Sequence, residues 1–462
     1  MSCSLKRFIP VITNNKHTLQ AIIEKSLYST ATSSPNTIIV NGKEFETDSE
    51  KTNVPQNILK LTDKALHLKA SHPIGILRTL IENKLNSDDH AFEVYNNFKP
   101  AVSVFENFDS LGFPKDHVGR SKSDTYYINK DHLLRTHTSA HEMFCFGNIQ
   151  KKITDKPGYL ISADVYRRDE IDKTHYPAFH QMEGARLWPK TEAGQKQLKK
   201  DISVLETKLN QIKNFTVIDM PYKEETNPKQ KHMTKEEVQL VSTHLKRTIE
   251  LIVAEVFNKK LASEGKTNEE IKSRWIEAYF PWTAPSWEIE VWWKGEWLEL
   301  CGCGVVREQV LTNAGMGTNE KIGWAFGLGL DRVAMLLFDI PDIRLFWTDD
   351  QRFHEQFKEN TISSFKPYSK YPGTIRDISF WVNNSIDIHE NDLMEIVRNT
   401  AGDLVESVKL IDDFVHPKTG RRSLCYRINY QSMDRNITNE EINNLQDTVR
   451  ANLVEQYKIE LR

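Results

Sequence analysis

A charged hairpin is the part of this sequence whose residue types and spacing could do chemistry. Residues 159–166 form an apolar run that predicts a strand, and the alternating residues 179–183 predict the strand that returns. Arg167, Asp169 and His175 lie in the charged loop between them. Because buried charges need partners, a loop with this many charges indicates a site that binds charged ligands. A solvated charged hairpin is the alternative that the sequence leaves open.

A glycine-rich segment offers a second place where an anion could bind. Gly327 and Gly329 precede the helical run at residues 333–337, and Arg332 falls in its first turn. Free amide groups at the start of a helix, together with an arginine, suit a nucleotide phosphate. The pattern is not a dinucleotide fingerprint, since Arg332 stands in place of the third glycine and no βαβ pattern surrounds it.

The start of a predicted helix near residue 138 could bind a carboxylate. Thr138 or Ser139 is predicted to cap this helix, with Glu142 closing a capping box from Ser139. Helix starts gather hydrogen-bond donors, so this local capping role and a ligand role are compatible.

Two strand patterns and an upstream helix are expected to position these residues. Residues 287–293 alternate apolar and acidic side chains, which predicts an antiparallel strand, and residues 297–306 predict the next strand. Gly302 would let a ligand approach the backbone closely. A plain sheet core would explain the aromatic residues here, but not the glycines together with Glu299. Further upstream, Ser71 is predicted to cap a helix.

The composition is that of a globular protein without a strong overall charge. The chain has 462 residues, enough for two or three domains, and a formal net charge of -3. Any RNA-binding surface is therefore expected to be a local patch. Cys301 and Cys303 are closely spaced, but no second pair gives zinc spacing. No apolar run reaches the about 18 residues that a membrane span needs, so no membrane contact is expected.

Changes in composition divide the chain. Residues 1–35 are basic and rich in hydroxyl groups, with Glu24 as their only acid, which predicts a mitochondrial presequence; a disordered tail is the alternative. Residues from about 190 to 272 are rich in lysine and glutamate and predict a helical insertion that is mainly scaffold and solvated face, with Leu245, Ile249 and Ile252 at helical spacing in its second helix. Residues 351–368 are predicted to be a linker. Residues 369–462 predict strands and helices in ferredoxin-like βαββαβ order.

Taken in order, these blocks resemble the single-chain mitochondrial phenylalanyl-tRNA synthetases, which are class II aminoacyl-tRNA synthetases. Residues 166–184 are similar to class II motif 2 in its phenylalanine-specific form, and residues 327–332 are similar to motif 3. The helix that has Pro73 in its first turn resembles motif 1. The resemblance covers residues from about 52 to 462. Its most specific part is the motif 2 block followed by Phe-Pro-Trp and Gly-Trp-Ala-Phe-Gly-Leu-Gly.

The resemblance implies an α+β fold and an activity. A class II antiparallel sheet flanked by helices is implied for residues 36–350, and a ferredoxin-fold anticodon-binding domain for residues 369–462. The enzyme would use ATP and Mg²⁺ to join phenylalanine, through a phenylalanyl-adenylate, to the terminal ribose 2′-hydroxyl of mitochondrial tRNA-Phe. A monomer in the mitochondrial matrix is implied. The alternative is a catalytically silent synthetase-like tRNA-binding protein, which the loss of Arg167 or Arg332 would favour; both are present.

The resemblance also implies the residues of two substrate sites. Arg167, Arg332 and His175 are expected to act in catalysis, and Glu299 is expected to hold Mg²⁺. The residues expected to bind ATP are Arg167, Asp169, Thr174, His175, Tyr176, Phe179, Glu299 and Arg332. The residues expected to bind phenylalanine are Tyr127, His137, Ser139, Ala140, His141, Glu142, Gln181, Met182, Glu183, Phe280, Trp282, Ala325 and Phe326.

Three positions depart from the family pattern. Glu142 stands where the family has glutamine, which changes a hydrogen bond and the local charge. Trp282 is larger than the usual phenylalanine, and Val118 replaces a proline. None of these departures affects the two arginines.

Overall fold

The structure is a computed structural model that describes residues 37–87, 90–367, 371–382 and 388–462. The predicted presequence at residues 1–35 lies outside the described residues, as do the end of the predicted linker and the first residues of the predicted tail domain. In the described part of the chain, no helix is long and apolar enough to cross a membrane.

A largely antiparallel sheet organises the large domain. In chain order the strands of the described residues are β1 (Thr37–Val40), β2 (Lys43–Glu46), β3 (Phe92–Tyr95), β4 (Ala101–Ser103), β5 (His132–Leu134), β6 (Gly158–Tyr166), β7 (Ala178–Pro189), β8 (Phe215–Ile218), β9 (Ile271–Phe280), β10 (Thr283–Trp293), β11 (Glu296–Val306), β12 (Lys321–Gly329), β13 (Thr374–Trp381), β14 (Val405–Val415), β15 (Arg422–Tyr430) and β16 (Glu460–Leu461). One eight-stranded sheet has the order β3-β6-β7-β12-β11-β10-β9-β8. Its strands pair antiparallel except at the two edges, where β3 pairs with β6 and β8 with β9 in parallel. The predicted antiparallel class II sheet is confirmed.

Helices cover both sides of this sheet. In chain order they are α1 (Gln56–Leu61), α2 (Pro73–Leu85), α3 (Val104–Asn107), α4 (Glu142–Gln150), α5 (Glu192–Asn210), α6 (Lys235–Ser263), α7 (Glu308–Asn313), α8 (Leu330–Leu337), α9 (Gln351–His354), α10 (Glu390–Ala401) and α11 (Asn439–Tyr457). A large buried cluster joins α2, α6 and α8 to one side of the sheet and includes Leu77, Leu245 and Leu337. A smaller cluster, which includes Phe146 of α4 and Tyr159 of β6, lies on the other side.

The structure confirms one sequence prediction and corrects another. The apolar positions predicted in the second helix of the region from about 190 to 272 include Ile249 and Ile252, and α6 buries both in the large cluster. The cap of α2 is His72 rather than Ser71, since His72 Nδ1 accepts a hydrogen bond from the amide of Ile74 at 3.2 Å. The His72 Nε2 atom lies 3.0 Å from a main-chain carbonyl oxygen more distant in sequence, so a tertiary contact selects this cap.

The tail domain has the predicted βαββαβ order, formed by β13, α10, β14, β15, α11 and β16. Its four-stranded sheet has the order β14-β15-β13-β16. Phe380, Val397, Ile428 and Val449 belong to its buried cluster. Ile171, from the loop between β6 and β7, is buried in the same cluster. The charged hairpin of the large domain therefore packs against the tail domain.

Candidate active site

The charged hairpin predicted from the sequence consists of β6 and β7, with residues 167–177 as the loop between them. Gln181 lies opposite Ala163, and Glu183 lies opposite Ile161. Cross-strand partners point to the same face of a sheet, and both Ala163 and Ile161 belong to the smaller buried cluster. Gln181 and Glu183 therefore project to the side of the sheet on which α4 packs.

A cavity of about 210 Å³ lies on this side of the sheet. The turn before α4, the hairpin, and the strands β9 to β12 supply its walls. The lining residues are His137, Thr138, Ser139, Glu142, Arg167, Gln181, Glu183, Phe280, Trp282, Thr283, Glu299, Gly302, Cys303, Ala325, Phe326 and Gly327. This one cavity brings together Arg167, Glu299 and most of the residues that the sequence predicts to bind phenylalanine.

Hydroxyl groups hold the Glu183 carboxylate in the cavity wall. Glu183 Oε2 accepts hydrogen bonds from Ser139 Oγ at 2.5 Å and from Thr138 Oγ1 at 3.1 Å, and Oε1 accepts one from Tyr159 Oη at 3.1 Å. Burial raises the pKa of Glu183 to about 7, and these three hydrogen bonds oppose the rise because they favour the ionised form. The Thr138 amide donates to Gln181 Oε1 at 3.3 Å, which leaves the amide NH₂ group of Gln181 as a donor for a ligand.

Glu142 lines the same cavity without such support. It is 0 % exposed, and neither carboxyl oxygen is hydrogen-bonded to any residue that the structure describes. The predicted capping box from Ser139 is wrong, because residues 138–141 form a 3₁₀ turn and α4 begins at Glu142. The Ser139 hydroxyl donates to Glu183 instead. Burial, together with the charge of Glu183, raises the pKa of Glu142 well above its usual value.

Aromatic rings form another wall of the cavity. The ring centroids of Phe280 and Trp282 are 5.8 Å apart, and the Trp282 ring stacks on His137 at 5.5 Å. Both ring nitrogens of His137 are buried with no partner among the described residues. Burial, helped by the nearby charge of Arg167, lowers the pKa of His137 to about 3. The imidazole is therefore neutral near pH 7 and can hydrogen-bond a ligand without adding charge.

Two glycines bring the main chain of neighbouring strands to the cavity. Gly302 of β11 lies opposite Gly327 of β12, and both line the cavity. A Cβ atom at position 302 would lie 2.5 Å from Phe280 Cζ. Only glycine fits at position 302 while the Phe280 ring keeps its place.

Arg167 is the cationic residue of the cavity lining. Its Nε donates to the main-chain carbonyl oxygen of Thr136 at 2.8 Å, and its guanidinium carbon lies 5.2 Å from the centroid of the Phe179 ring. Because Nε is engaged, the two terminal amino groups are the ones that can bind an anion. Phe179 does not itself line the cavity; its ring contacts Arg167, which does.

Glu299 and Arg332 form a loose ion pair. Arg332 Nη1 lies 3.7 Å from Glu299 Oε2, and the two side chains are 52 % and 49 % exposed. An exposed pair at this distance contributes little to stability, so either group can exchange its partner for a ligand. Glu299 lines the cavity and Arg332 does not. As the sequence predicts, Arg332 lies in the first turn of a helix, α8.

Four residues that the sequence predicts to bind phenylalanine do not line the cavity. Met182 projects to the opposite face of the sheet and packs in the large cluster. The Tyr127 hydroxyl donates a hydrogen bond to a main-chain carbonyl oxygen at 2.7 Å. Ala140 is buried together with Tyr127 in a third cluster, separate from the large and the smaller one. The His141 ring stacks on Phe98 at 4.0 Å. All four contribute to packing in this structure.

The middle of the hairpin loop lies away from the cavity. His175 Nδ1 is 2.8 Å from Asp172 Oδ2, and this hydrogen bond raises the pKa of His175. The Tyr176 hydroxyl donates to Asp403 of the tail domain at 2.9 Å. His175 and Tyr176 line a second cavity, of about 290 Å³, between α1 and the tail domain. The structure therefore does not bring His175 into the cavity of Arg167.

The remaining polar residues of the loop are held by local and tail-domain contacts. Thr174 Oγ1 donates to Asp172 Oδ1 at 2.9 Å. The main-chain carbonyl of Asp169 accepts a hydrogen bond from Arg398 Nη2 at 2.6 Å. Neither Asp169 nor Thr174 lines the cavity of Arg167.

Five lining residues were not assigned to a site from the sequence: Thr138, Thr283, Gly302, Cys303 and Gly327. The two glycines carried a signal, because glycines in a predicted strand allow close approach to the backbone. Thr138 could also have been assigned to the site from the sequence, because it is the neighbour of Ser139. Thr283 and Cys303 carried none, since their place follows only from the pairing of β10 with β11.

Two protein-family models match the chain, one over the large domain and one over the tail domain. The model of the tRNA synthetases class II core domain (F) matches residues 59–264 and 201–357. The model of the ferredoxin-fold anticodon binding domain matches residues 369–462.

Individual relatives match over most of their length. The chain is 62 % identical over 444 residues to the mitochondrial phenylalanine–tRNA ligase of Saccharomyces cerevisiae, covering 92 % of this chain and 94 % of that protein. It is 41 % identical over 446 residues to the mitochondrial phenylalanine–tRNA ligase of Dictyostelium discoideum, covering 89 % and 90 %. It is 40 % identical over 432 residues to the mitochondrial phenylalanine–tRNA ligase of Mus musculus, covering 91 % and 88 %.

Proposed function

The chain belongs to the class II phenylalanine–tRNA ligase family, and on that premise we propose how its residues divide the work of charging tRNA-Phe with phenylalanine. In the first step, a carboxylate oxygen of phenylalanine attacks the α-phosphorus of ATP, the bond to the β-phosphate breaks, and pyrophosphate leaves. In the second, the terminal ribose 2′-hydroxyl of the tRNA attacks the carbonyl carbon of the phenylalanyl-adenylate and AMP leaves. The observation that carries the proposal is the single cavity that joins Arg167 to Gln181 and Glu183.

The cavity binds the amino acid through its two charged groups and its ring. The Glu183 carboxylate, already oriented by Ser139, Thr138 and Tyr159, accepts the substrate ammonium. The amide of Gln181 and the neutral His137 supply further hydrogen bonds, with Ser139 at the same wall. Phe280 and Trp282 pack against the phenyl ring, and the small Ala325 leaves room for it, with Phe326 next to it in the lining. Edge-to-face ring contacts of this kind add about 1 kcal/mol per pair.

Arg167 binds the α-phosphate while the carboxylate attacks it. Two anions meet in this step, so a cation that binds the five-coordinate phosphorus lowers the barrier most. The Nε–Thr136 bond fixes the Arg167 side chain, and its two terminal groups reach the phosphate. Phe179 stacks on the adenine next to Arg167. Arg332 binds the terminal phosphate from the first turn of α8. Asp169, Thr174, His175 and Tyr176 are given no role at the ATP, because their contacts hold them outside the cavity of Arg167.

Glu299 is the residue that fits a Mg²⁺ ion. Its carboxylate is half-exposed, lines the cavity and has only a loose partner in Arg332. Mg²⁺ prefers oxygen ligands and is held next to nucleotides by one or two carboxylates together with phosphate oxygens. A single carboxylate beside the phosphate site is sufficient for such binding. When bound, the ion would neutralise charge on the phosphates of ATP.

The tail domain at residues 369–462 binds tRNA-Phe. Residues 351–368 join it to the catalytic domain at residues 36–350, and they pack against that domain, since Phe353, Phe357 and Phe365 are buried in the large cluster. The enzyme works as a monomer. The three relatives above are named as mitochondrial proteins, and the basic, acid-poor residues 1–35 suit a presequence; both observations support a location in the mitochondrial matrix.

Phenylalanine-dependent exchange of pyrophosphate into ATP, followed by charging of tRNA-Phe, tests the proposal. Exchange that is much faster with phenylalanine than with other amino acids of similar size, such as tyrosine, is the expected result. Normal tRNA binding without exchange would support the alternative, a catalytically silent synthetase-like tRNA-binding protein. The presence of Arg167 in the cavity, together with the family membership, favours the enzyme.

A further inference from the structure

Two buried glutamates share the amino-acid cavity, but only one has hydrogen-bond partners. Glu142 is 0 % exposed and Glu183 is 2 % exposed, and both line the cavity. Glu183 accepts hydrogen bonds from hydroxyl groups of the turn and of β6. Both oxygens of Glu142 are buried and lack a hydrogen bond to any of the described residues. The two carboxyl groups therefore have very different environments.

The groups around Glu142 do not stabilise a negative charge on it. Glu183 faces it from β7, Tyr159 faces it from β6, and Cys145 lies one turn further along α4. Burial and the two carboxyl groups raise the pKa values of Tyr159 and Cys145, so both stay neutral, and neither is a residue type that can supply a cation. An unpaired, buried carboxylate beside a second one is far less stable than its neutral form. Because Glu183 has three hydrogen-bond donors and Glu142 has none among the described residues, a proton bound by the pair is more stable on Glu142.

We propose that Glu142 works as a neutral carboxylic acid, which offers one O–H donor and one carbonyl acceptor to the amino acid beside the Glu183 carboxylate. The cavity then presents one negative charge, that of Glu183, to the single ammonium group of an α-amino acid, rather than two. A second buried negative charge would remain without a counterion. The inference rests on the proposed function, because the ammonium group of the substrate is its ligand.

Two substitutions at this position separate a neutral acid from a carboxylate. Glutamine has the same shape as a protonated glutamate and also offers a donor and an acceptor, whereas alanine offers neither. Glu142→Ala is expected to raise the KM for phenylalanine by about tenfold or more. The KM for ATP is expected to stay the same. Glu142→Gln is expected to recover most of this loss.

Two kinetic results would overturn the inference. If Glu142→Gln lost as much affinity as Glu142→Ala, a negative charge would be required at this position. If Glu142→Ala kept the wild-type KM for phenylalanine, the side chain would have no role in binding. A rise in both KM values would mean that the substitution disturbs both substrate sites, and the infrared measurement then decides.

Infrared difference spectra of wild type minus Glu142→Gln read the protonation state directly. A C=O stretching band of a protonated carboxylic acid is expected, in the free enzyme and with phenylalanine bound. A carboxylate band in its place would contradict the inference. Because this measurement needs no turnover, it decides the inference even if the exchange assay contradicts the proposed function.

Discussion

Arg398 Nη2 donates to the main-chain carbonyl oxygen of Asp169 at 2.6 Å, and so joins a helix of the tail domain to the loop that carries Arg167. The same side chain pairs through Nη1 with Glu395 at 2.9 Å, and Glu395 also accepts a hydrogen bond from Tyr126 at 2.9 Å. All three side chains are buried. The position of the ATP-site loop is therefore tied to α10.

Arg398→Met is expected to lower the free energy of unfolding by about 3 kcal/mol, because it removes the nearer cation from the buried Glu395. It is also expected to raise the KM for ATP, since the loop loses its anchor. Urea unfolding and pyrophosphate exchange measure the two effects. Arg435→Met is the control: its ion pair with Glu441 is exposed, so almost no change in the free energy of unfolding is expected. Equal losses in the two variants would contradict the anchoring role.

Removal of the cation from the cavity tests the role of Arg167. Arg167→Ala is expected to reduce the rate of phenylalanine-dependent exchange about a thousandfold, as for other arginines placed on a transferred phosphoryl group. Arg167→Lys keeps the charge but loses the Nε–Thr136 bond and one of the paired donors, so it is expected to fall between alanine and wild type. Full-rate exchange by the alanine variant, with unchanged unfolding, would refute the assignment.

Stability at acidic pH should depend on His72. Burial lowers the pKa of His72 from 6.5 to about 3. Between these two pH values the unfolded chain binds a proton that the folded chain does not, so stability falls as the pH decreases, by about 1.4 kcal/mol per pH unit from this group. His72→Asn is expected to keep the cap on Ile74 and to show a smaller loss between about pH 6 and about pH 4. Parallel pH dependences of wild type and variant, measured by urea unfolding, would disprove this.

A methyl group at position 302 should displace the Phe280 ring. Gly302→Ala is expected to raise the KM for phenylalanine about tenfold or more, because the added Cβ would lie 2.5 Å from Phe280 Cζ. The KM for ATP is expected to be unchanged. Gly147→Ala serves as a matched control, because its Cβ would come no closer than 3.7 Å to its nearest neighbour, Ala314 O. Equal KM values for phenylalanine in the two variants would rule out this steric effect.

The fold was predictable where pattern and local chemistry agree. The alternation in residues 287–293 predicts β10, and the order of elements in the tail predicts its ferredoxin fold. The apolar stripe of α6 was predictable too, but its place in the large cluster was not, because the residues that cover it come from elements distant in sequence. The N-cap of α2 shows the same limit. Ser71 has the higher intrinsic preference for a cap position, but His72 occupies it, and its ring also contacts a main-chain carbonyl oxygen distant in sequence.

Side-chain partners within the site were not predictable from the sequence alone. Ser139 and Glu142 have the spacing of a capping box, but the Ser139 hydroxyl donates to Glu183, which comes from another strand. Met182 lies between Gln181 and Glu183 in sequence, yet the alternation of β7 turns it to the opposite face. His175 follows Arg167 in the same loop, and contacts with the tail domain hold that part of the loop away from the cavity.

The pairing of Gly302 with Gly327 means that the floor of the amino-acid cavity is made of main chain. Such a floor has no rotamers, so it cannot adjust its depth to the ligand. Substitution can make it shallower by one methyl group, but no truncation can make it deeper, since glycine is already the smallest residue. Any variant of this enzyme that accepts a larger amino acid must therefore gain the space from its walls, at Phe280, Trp282 or Ala325.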